Sequence, residues 1–228
     1  MVLEASQLES KISEARGSIA LALCETGRTC LTCSFQAEDM VVLQLVRERL
    51  PDVPVLFLET GYHFAEVYRY RDEMSKRYNL NLVNLMPERT VAEQESEFGL
   101  LYQSRPDECC KLRKVRPLFA ALENYDIWFT GLRRVQSPTR ANLQTMGRFP
   151  LPSGKELLKV SPLADWLDKD IWTFARENEI PLLPLYEAGY ASIGCEPCTA
   201  LPADSANPRS GRWAGRKLEC GIHIAEPH

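Results

Sequence analysis

The spacing of apolar and polar residues predicts alternating helices and strands along the first 180 residues. Apolar residues recur at helical spacing between residues 4 and 25, which predicts an amphipathic helix that ends before Gly27. Farther along, the pattern predicts strands at 28–34, 53–59, 80–85 and 126–130 and helices at 38–50 and 64–78. Strands that alternate with helices are typical of a parallel sheet, so the pattern predicts an α/β protein.

The pattern weakens in the second half of the chain. Residues 90–123 are predicted to be mostly helical, with an interruption before Pro106, because the residue before a proline disfavours the helical conformation. Residues 157–160 can form a further strand, and Asp168 can cap a helix that ends before Pro181. Beyond that point glycine, proline and serine become frequent, which predicts an ordered lid or a flexible tail.

Composition is that of an ordinary globular protein. The chain has 228 residues, of which 45% are apolar and 25% charged, and its net charge is -4. We expect one main α/β domain at residues 1–180 and an irregular C-terminal segment at residues 181–228. The acidic balance disfavours bulk binding of nucleic acid or membrane, and we find no signal-peptide or spanning pattern. We interpret the protein as cytoplasmic, with any anion site confined to a local group of cations.

Eight cysteines need an explanation, because disulfides are rare in a reducing compartment. Cys24 lies on the apolar side of the first predicted helix and is interpreted as core packing. Cys30 and Cys33 have the C-x-x-C spacing, but residues three apart in a strand point to opposite faces. We therefore do not expect Cys30 and Cys33 to share a ligand.

Two other cysteine pairs have the spacing of metal ligands. Cys109 and Cys110 are adjacent in a predicted helix, and Cys195 and Cys198 flank a Glu-Pro turn. Adjacent thiolates reach separate iron atoms of an iron–sulfur cluster more easily than they reach one tetrahedral zinc. The spacing thus favours a cluster, with a structural zinc or unligated thiols as alternatives.

Polar residues follow three predicted strands at their carboxyl ends, which is where open α/β sheets bind ligands. These residues include Ser34 and Asp39 after the first strand, Thr60 after the second and Gly131 after the strand at 126–130. The loop from Ser34 to Asp39 can direct backbone amides at an anion, but it lacks the glycines that wrap a polyphosphate. A ligand with little phosphate is favoured, and a capped helix without a ligand is the alternative.

Basic side chains follow the same strand as Gly131. Arg133, Arg134 and Arg140 could contribute cations to a ligand site, although a solvated basic loop is the alternative. His63 has no neighbouring serine or cysteine pattern that would give it a catalytic partner. We interpret His63 as a hydrogen-bonded structural histidine.

The C-terminal segment contains the candidate nucleophile. Cations at 209, 212, 216 and 217 precede Cys220, and no acidic residue interrupts residues 209–217. A thiol beside cations has a lowered pKa and is reactive at neutral pH. Cys220 is therefore predicted to be a nucleophile, and a frayed tail without function is the alternative.

Taken together, these motifs resemble the thioredoxin-dependent adenylyl-sulfate reductases of assimilatory sulfate reduction, in the branch with a four-iron, four-sulfur cluster. The likeness runs from about Ser34 to His223 and rests on residues 58–64, 109–114, 130–140, 195–198, 209–213 and 219–223. It implies a parallel-sheet, Rossmann-like adenine-nucleotide α hydrolase (PP-loop) fold with an irregular C-terminal tail.

The resemblance also implies a role for each matching position. The 4Fe-4S cluster would be held by Cys109, Cys110, Cys195 and Cys198. The nucleotide would be lined by Ser34, Asp39, Thr60 and Gly131, and its phosphate and sulfate would be bound by Lys114, Arg140, Arg209 and Arg212. Cys220 would attack adenylyl sulfate to give an S-sulfocysteine and AMP, and thioredoxin would then release sulfite.

Three alternatives stay open at this point. One is the same reaction on the 3'-phosphorylated substrate, and another is a tRNA-modifying ATP pyrophosphatase, which the glycine-poor loop disfavours. The third is a zinc-bound nucleotide-sensing module without chemistry. We expect no nucleic-acid or membrane partner, and the sequence leaves open a homo-oligomer.

Overall fold

The computed structural model describes residues 2–204 and 207–223, so the last five residues of the predicted C-terminal segment lie outside it. Its strands are β1 (Thr29–Thr32), β2 (Val55–Leu58), β3 (Leu82–Leu85), β4 (Ile127–Phe129), β5 (Met146–Pro150) and β6 (Glu156–Val160). They form one sheet in the order β3-β2-β1-β4-β6-β5, in which only β5 pairs antiparallel. The predicted parallel-sheet α/β fold is confirmed.

Helices connect and cover these strands. They are α1 (Val2–Ala22), α2 (Ala37–Arg47), α3 (Ala65–Arg77), α4 (Val91–Phe98), α5 (Leu101–Ser104), α6 (Pro106–Cys110), α7 (Arg116–Leu122) and α8 (Asp168–Glu177). A π-helical turn, Lys111–Val115, joins α6 to α7. The predicted break before Pro106 is present, and Gly99 makes an earlier one because its φ of 68° ends α4.

The sheet is buried on both faces, and consecutive residues of each strand pack into different apolar clusters. Leu31, Phe57 and Phe129 belong to the larger cluster, whereas Leu56 and Trp128 belong to the smaller one. Strands buried on both sides have continuous apolar runs, and this pattern makes β2 and β4 predictable. The cysteine prediction is also confirmed, since Cys30 packs in the smaller cluster and Cys33 in the larger.

One expectation is wrong, and one strand has no counterpart among the predicted elements. Cys24 is exposed and not part of the core, because α1 ends at Ala22 and Cys24 lies in the following turn, where its Sγ donates to Ala20 O at 3.3 Å. Strand β5 was not predicted, because its glycine and proline lower strand propensity and only pairing with β6 makes it extended.

After α8 the described part of the chain, up to residue 223, contains only short 3-10 turns as regular elements, at Pro184–Tyr186, Glu196–Cys198 and Trp213–Gly215. It returns over the carboxyl edge of the sheet, where bridges join His63 to Cys195 and Thr199 to Arg212. Across residues 2–204 and 207–223, no helix has the length and apolar character needed to cross a bilayer.

Candidate active site

A cavity of about 660 Å³ lies where β1, β2 and β4 end, at the carboxyl edge of the sheet. All nine positions predicted for substrate binding and nucleophilic attack line it: Ser34, Asp39, Thr60, Lys114, Gly131, Arg140, Arg209, Arg212 and Cys220. The C-terminal segment supplies three of them, so the cavity is formed jointly by the sheet and by that segment.

The loop after β1 is held in place by hydrogen bonds to the carboxylate of Asp39, in the first turn of α2. Asp39 Oδ2 accepts hydrogen bonds from Ser34 N and Ser34 Oγ, each at 2.6 Å. A Cβ on Gly131 would lie 2.3 Å from Asp39 Oδ1, so a glycine is required for β4 to approach α2 this closely. Burial, together with the charge of Glu38, raises the pKa of Asp39 to about 6. These contacts occupy donors that a phosphate-gripping loop would offer to its ligand.

The end of β2 carries structural rather than catalytic polar groups. Thr60 is fully buried, and its Oγ1 accepts from the Cys195 thiol at 3.4 Å. His63 Nε2 donates to Leu58 O at 2.7 Å, and burial lowers the pKa of His63 to about 4. The predicted hydrogen bonding of His63 is confirmed.

Arg133 and Arg134 are held in ion pairs rather than solvated. Arg133 is buried and its Nη2 lies 2.6 Å from Asp168 Oδ1, and Arg134 pairs with Asp165. Arg140 instead reaches toward the C-terminal segment, where its side chain pairs with Glu219. Of these three basic residues, Arg140 is therefore the one placed at the cationic end of the cavity.

That cationic end is desolvated. Arg212 is 5% exposed and its Cζ lies 4.4 Å from the ring centroid of Trp213, and burial lowers the pKa of both Arg209 and Arg212. The Nε atoms of Arg209 and Arg212 are buried without a hydrogen-bond partner. A buried donor without a partner is costly, so the hydrogen bonding of these two arginines is incomplete at the cationic end of the cavity.

Lys114 lies between this cavity and a second, smaller cavity, and it lines both of them. Burial acts to lower the pKa of Lys114, but the neighbouring thiols of Cys195, Cys110 and Cys220 outweigh it and raise the pKa above its usual value. The ammonium thus lies between the nucleotide cavity and the thiols.

All four predicted metal ligands line that smaller cavity: Cys109, Cys110, Cys195 and Cys198. Each is a free thiol, and the first three are buried. Burial, followed by the influence of the other three cysteines, raises the pKa of Cys109 to about 12. Within the described ranges, no three His, Cys, Asp or Glu side chains form a group that could hold a single metal ion.

A buried cation stands beside these thiols. Arg113 is 3% exposed, its Nη1 donates to Gln94 Oε1 at 3.1 Å, and its guanidinium lies 5.3 Å from the centroid of the Tyr62 ring. Gln94 Nε2 in turn contacts Cys109 Sγ at 4.0 Å. Arg113 therefore supports the wall of the cysteine cavity and adds positive charge to it.

Two charged residues that contact the C-terminal segment or its neighbours have no role in the sequence-based expectations. Glu219 binds Arg140, and Lys159 Nζ donates to His223 O at 3.3 Å. Glu219 had a usable signal, because it is the first acid after the cationic run of residues 209–217. Lys159 had none, since a lysine near the end of a strand is common.

Comparison with known proteins places this architecture in a family. The model of the phosphoadenosine phosphosulfate reductase domain matches residues 28–201. Adenosine 5'-phosphosulfate reductase of Mycobacterium tuberculosis is 47% identical over 203 residues, which cover 85% of this chain and 78% of that protein. The enzyme of the same name from Mycolicibacterium smegmatis is 48% identical over 193 residues, covering 82% and 79%.

A solved structure has the same fold. The crystal structure of phosphoadenylyl-sulfate reductase from Candida auris superposes with a TM-score of 0.71 at 23% identity, covering 82% of this chain and 90% of that one. The chain therefore belongs to the phosphoadenosine phosphosulfate reductase domain family.

Proposed function

We propose that the protein reduces adenylyl sulfate to sulfite and AMP, with Cys220 as the nucleophile. The observation that carries the proposal is one cavity in which a free thiol and four cations face the strand ends that bind nucleotides in this class of fold. The mycobacterial relatives are named for the same reduction. A reaction that depends on thiols suits the reducing cytoplasm, where we propose that the protein acts.

In the first step the Cys220 thiolate attacks the sulfur of the sulfate group. A sulfur–sulfur bond forms while the bond from sulfur to the phosphate oxygen breaks, and AMP leaves with that electron pair. The product is an S-sulfocysteine at Cys220. Arg140, Arg209 and Arg212 would bind the anionic oxygens and stabilise the charge that develops on the leaving phosphate.

In the second step a dithiol reductant attacks Cys220 Sγ. Sulfite leaves with the electron pair of the sulfur–sulfur bond, so its sulfur is reduced, and a mixed disulfide forms on Cys220. The second thiol of the reductant resolves that bond, regenerates the Cys220 thiolate and leaves the reductant as a disulfide. We propose thioredoxin as this reductant.

The four-cysteine cavity fits a 4Fe-4S cluster. Cys109, Cys110, Cys195 and Cys198 supply four thiols to one enclosed space beside the buried cation Arg113. Adjacent thiolates suit a cluster with separate iron atoms, and a neighbouring cation offsets thiolate charge. When bound, the cluster would supply a fixed electrostatic field at Lys114, whereas the electrons of the reaction come from thiols.

The proposal is tested by intact mass spectrometry after mixing with adenylyl sulfate and no reductant. We expect one added sulfonate group per chain in the wild-type protein and none in Cys220→Ser. Addition of reduced thioredoxin should remove the group and release sulfite. An unmodified wild-type protein that nevertheless binds adenylyl sulfate would contradict the mechanism.

The alternatives predict different substrates. Turnover with the 3'-phosphorylated substrate in preference to adenylyl sulfate would support the reaction named for the Candida relative. Release of pyrophosphate from ATP would support a pyrophosphatase. The loop at Asp39 disfavours pyrophosphate release, because the backbone N–H and the hydroxyl of Ser34 are already bonded to the Asp39 carboxylate.

A further inference from the structure

The acidic residue directly before Cys220 already occupies the cationic end of the cavity. Glu219 Oε1 accepts from Arg140 Nε and from Thr139 Oγ1, each at 2.9 Å, and Oε2 accepts from Arg140 Nη2 at 2.7 Å. Arg209 Nη2 lies 3.8 Å from the same carboxylate. Arginine binds phosphate in this paired arrangement as readily as carboxylate. Glu219 therefore fills a site shaped for an oxyanion.

This site has more positive charge than one carboxylate neutralises. Lys114, Arg140, Arg209 and Arg212 line the same end of the cavity. The Nε atoms of Arg209 and Arg212 are buried and lack a hydrogen-bond partner while Glu219 is in place. A ligand with several anionic oxygens would satisfy more of these donors than Glu219 does.

Glu219 also fastens the segment that carries the nucleophile. Its side chain is 9% exposed, although it lies in a stretch without regular structure. On the other side of the segment, Lys217 Nζ lies 2.5 Å from Asp107 Oδ1, whose side chain is 88% exposed. Because Cys220 follows Glu219 directly, release of the carboxylate would remove one of the contacts that hold the thiol in place, while Lys217 stays bound.

We infer that Glu219 is an internal anion, bound to Arg140 in the free protein and displaced by the oxyanion of the incoming ligand. Arg140 can bind either Glu219 or the oxyanion of the ligand, but not both. Binding of the ligand and release of the segment that carries Cys220 therefore occur together. Departure of AMP returns Arg140 to Glu219. The identity of the ligand rests on the proposed function, whereas the exchange itself requires only an oxyanion.

Calorimetric titration with AMP and with inorganic sulfate tests this exchange. Glu219→Gln keeps the shape of the side chain and removes the charge that competes for Arg140. If the carboxylate occupies Arg140 for about nine-tenths of the time, the variant should bind both ligands about tenfold more tightly than the wild type. Asp107→Asn loses the same charge and frees Lys217, but it should bind both ligands as the wild type does.

A second measurement follows the reactivity of the Cys220 thiol. The alkylation rate of Cys220 should rise in sulfate relative to chloride at equal ionic strength, because sulfate displaces Glu219. In Glu219→Gln the rate should be high in both salts. An affinity that is unchanged or weaker in Glu219→Gln, or equal alkylation of the wild type in the two salts, would overturn the inference.

The outcomes also separate this inference from the proposed function. Failure of the wild-type protein to bind AMP, combined with sulfate binding that tightens in Glu219→Gln, would contradict the proposed substrate and support the exchange. Formation of the sulfonate adduct at Cys220, together with unchanged affinities for AMP and sulfate in Glu219→Gln, would support the proposed function and contradict the exchange.

Discussion

The imidazole of His223 stacks on the indole of Trp128, with ring centroids 5.4 Å apart and planes inclined by 19°. Trp128 is fully buried in β4, so the chain just beyond Cys220 is fixed to the sheet itself. Lys159 Nζ lies 4.9 Å from the centroid of the same indole ring and donates to His223 O. The position of the segment that carries Cys220 therefore depends partly on the buried amine of Lys159.

Lys159→Met should change how stability depends on pH. Burial, and then the nearby Arg140, lower the pKa of Lys159 to about 7, with Glu219 acting in the opposite direction. An unfolded lysine titrates near pH ~10.4, so between about pH 7 and 10 the unfolded chain binds more protons and stability rises with pH. The variant lacks this rise, and below about pH 7 it should be more stable than the wild type by up to about 5 kcal/mol.

Urea unfolding at a series of pH values checks this prediction. The advantage of Lys159→Met should shrink as the pH approaches about 10, where the lysine is neutral in both states. Lys155→Met provides the control, because Lys155 lies at the edge of the molecule, bonded to Glu123 O and Tyr125 O. A difference between wild type and Lys159→Met that does not vary with pH would contradict the prediction.

Gly194→Ala should weaken binding of AMP. A Cβ on Gly194 would lie 2.0 Å from Arg212 Nη2 and 2.5 Å from Arg212 Cζ, and the buried guanidinium has little room to move aside. Loss of a paired arginine contact to an anion should weaken the affinity by roughly tenfold. Calorimetric titration with AMP measures the change.

Gly17→Ala is the matched control for Gly194→Ala. A Cβ on Gly17 meets no atom within 4 Å, and the residue lies inside α1. Alanine should therefore stabilise the helix by about 0.5 to 1 kcal/mol and leave AMP affinity unchanged. Equal AMP affinities for the two alanine variants would show that Gly194 does not position Arg212.

The sequence sufficed to predict the central sheet because its strands are buried on both faces. The apolar runs of β2 and β4 need no tertiary information, whereas β5 becomes a strand only through its pairing with β6. The helical stretch before β4 was predicted as a whole, but its division depends on Gly99 and on a π-helical turn, which propensity does not indicate.

The site was predictable where chemistry depends on residue type and spacing. A recognisable spacing marks the two cysteine pairs, the polar residues at the strand ends and the cysteine that follows a run of cations. All of these positions line the two cavities. The contact of Glu219 with Arg140 joins distant parts of the chain and has no periodic signal. The lowered pKa of Lys159 likewise arises from burial, which only the folded chain creates.

Cys198→Ser should abolish the metal centre. Cys198 lines the smaller cavity with the other three candidate ligands, and a serine hydroxyl is a poor ligand for iron in a cluster. Iron and sulfide content should fall together in anaerobically purified protein, with loss of visible absorption. Cys24→Ser changes an exposed thiol outside both cavities, so this variant should retain iron and sulfide. Stoichiometric zinc without sulfide in the wild type would contradict the cluster.

Arg113→Met should make the metal centre less stable without removing a ligand. Arg113 is the buried cation beside the four thiols, and it holds Gln94 against Cys109. A cation close to thiolates stabilises their ionised form, and loss of such a neighbour costs metal affinity roughly tenfold or more. Iron should therefore be lost to a chelator at least several times faster than from the wild type.

The matched control for Arg113→Met is Arg116→Met, one turn farther along the helix. Arg116 is exposed and lines neither cavity, so its removal takes away the same charge without opening the cysteine site. Circular dichroism during the chelator experiment separates iron loss from unfolding. If both variants lost iron at the wild-type rate, the charge of Arg113 would have no part in holding the centre, and its role would be confined to its hydrogen bonds with Thr60 and Gln94.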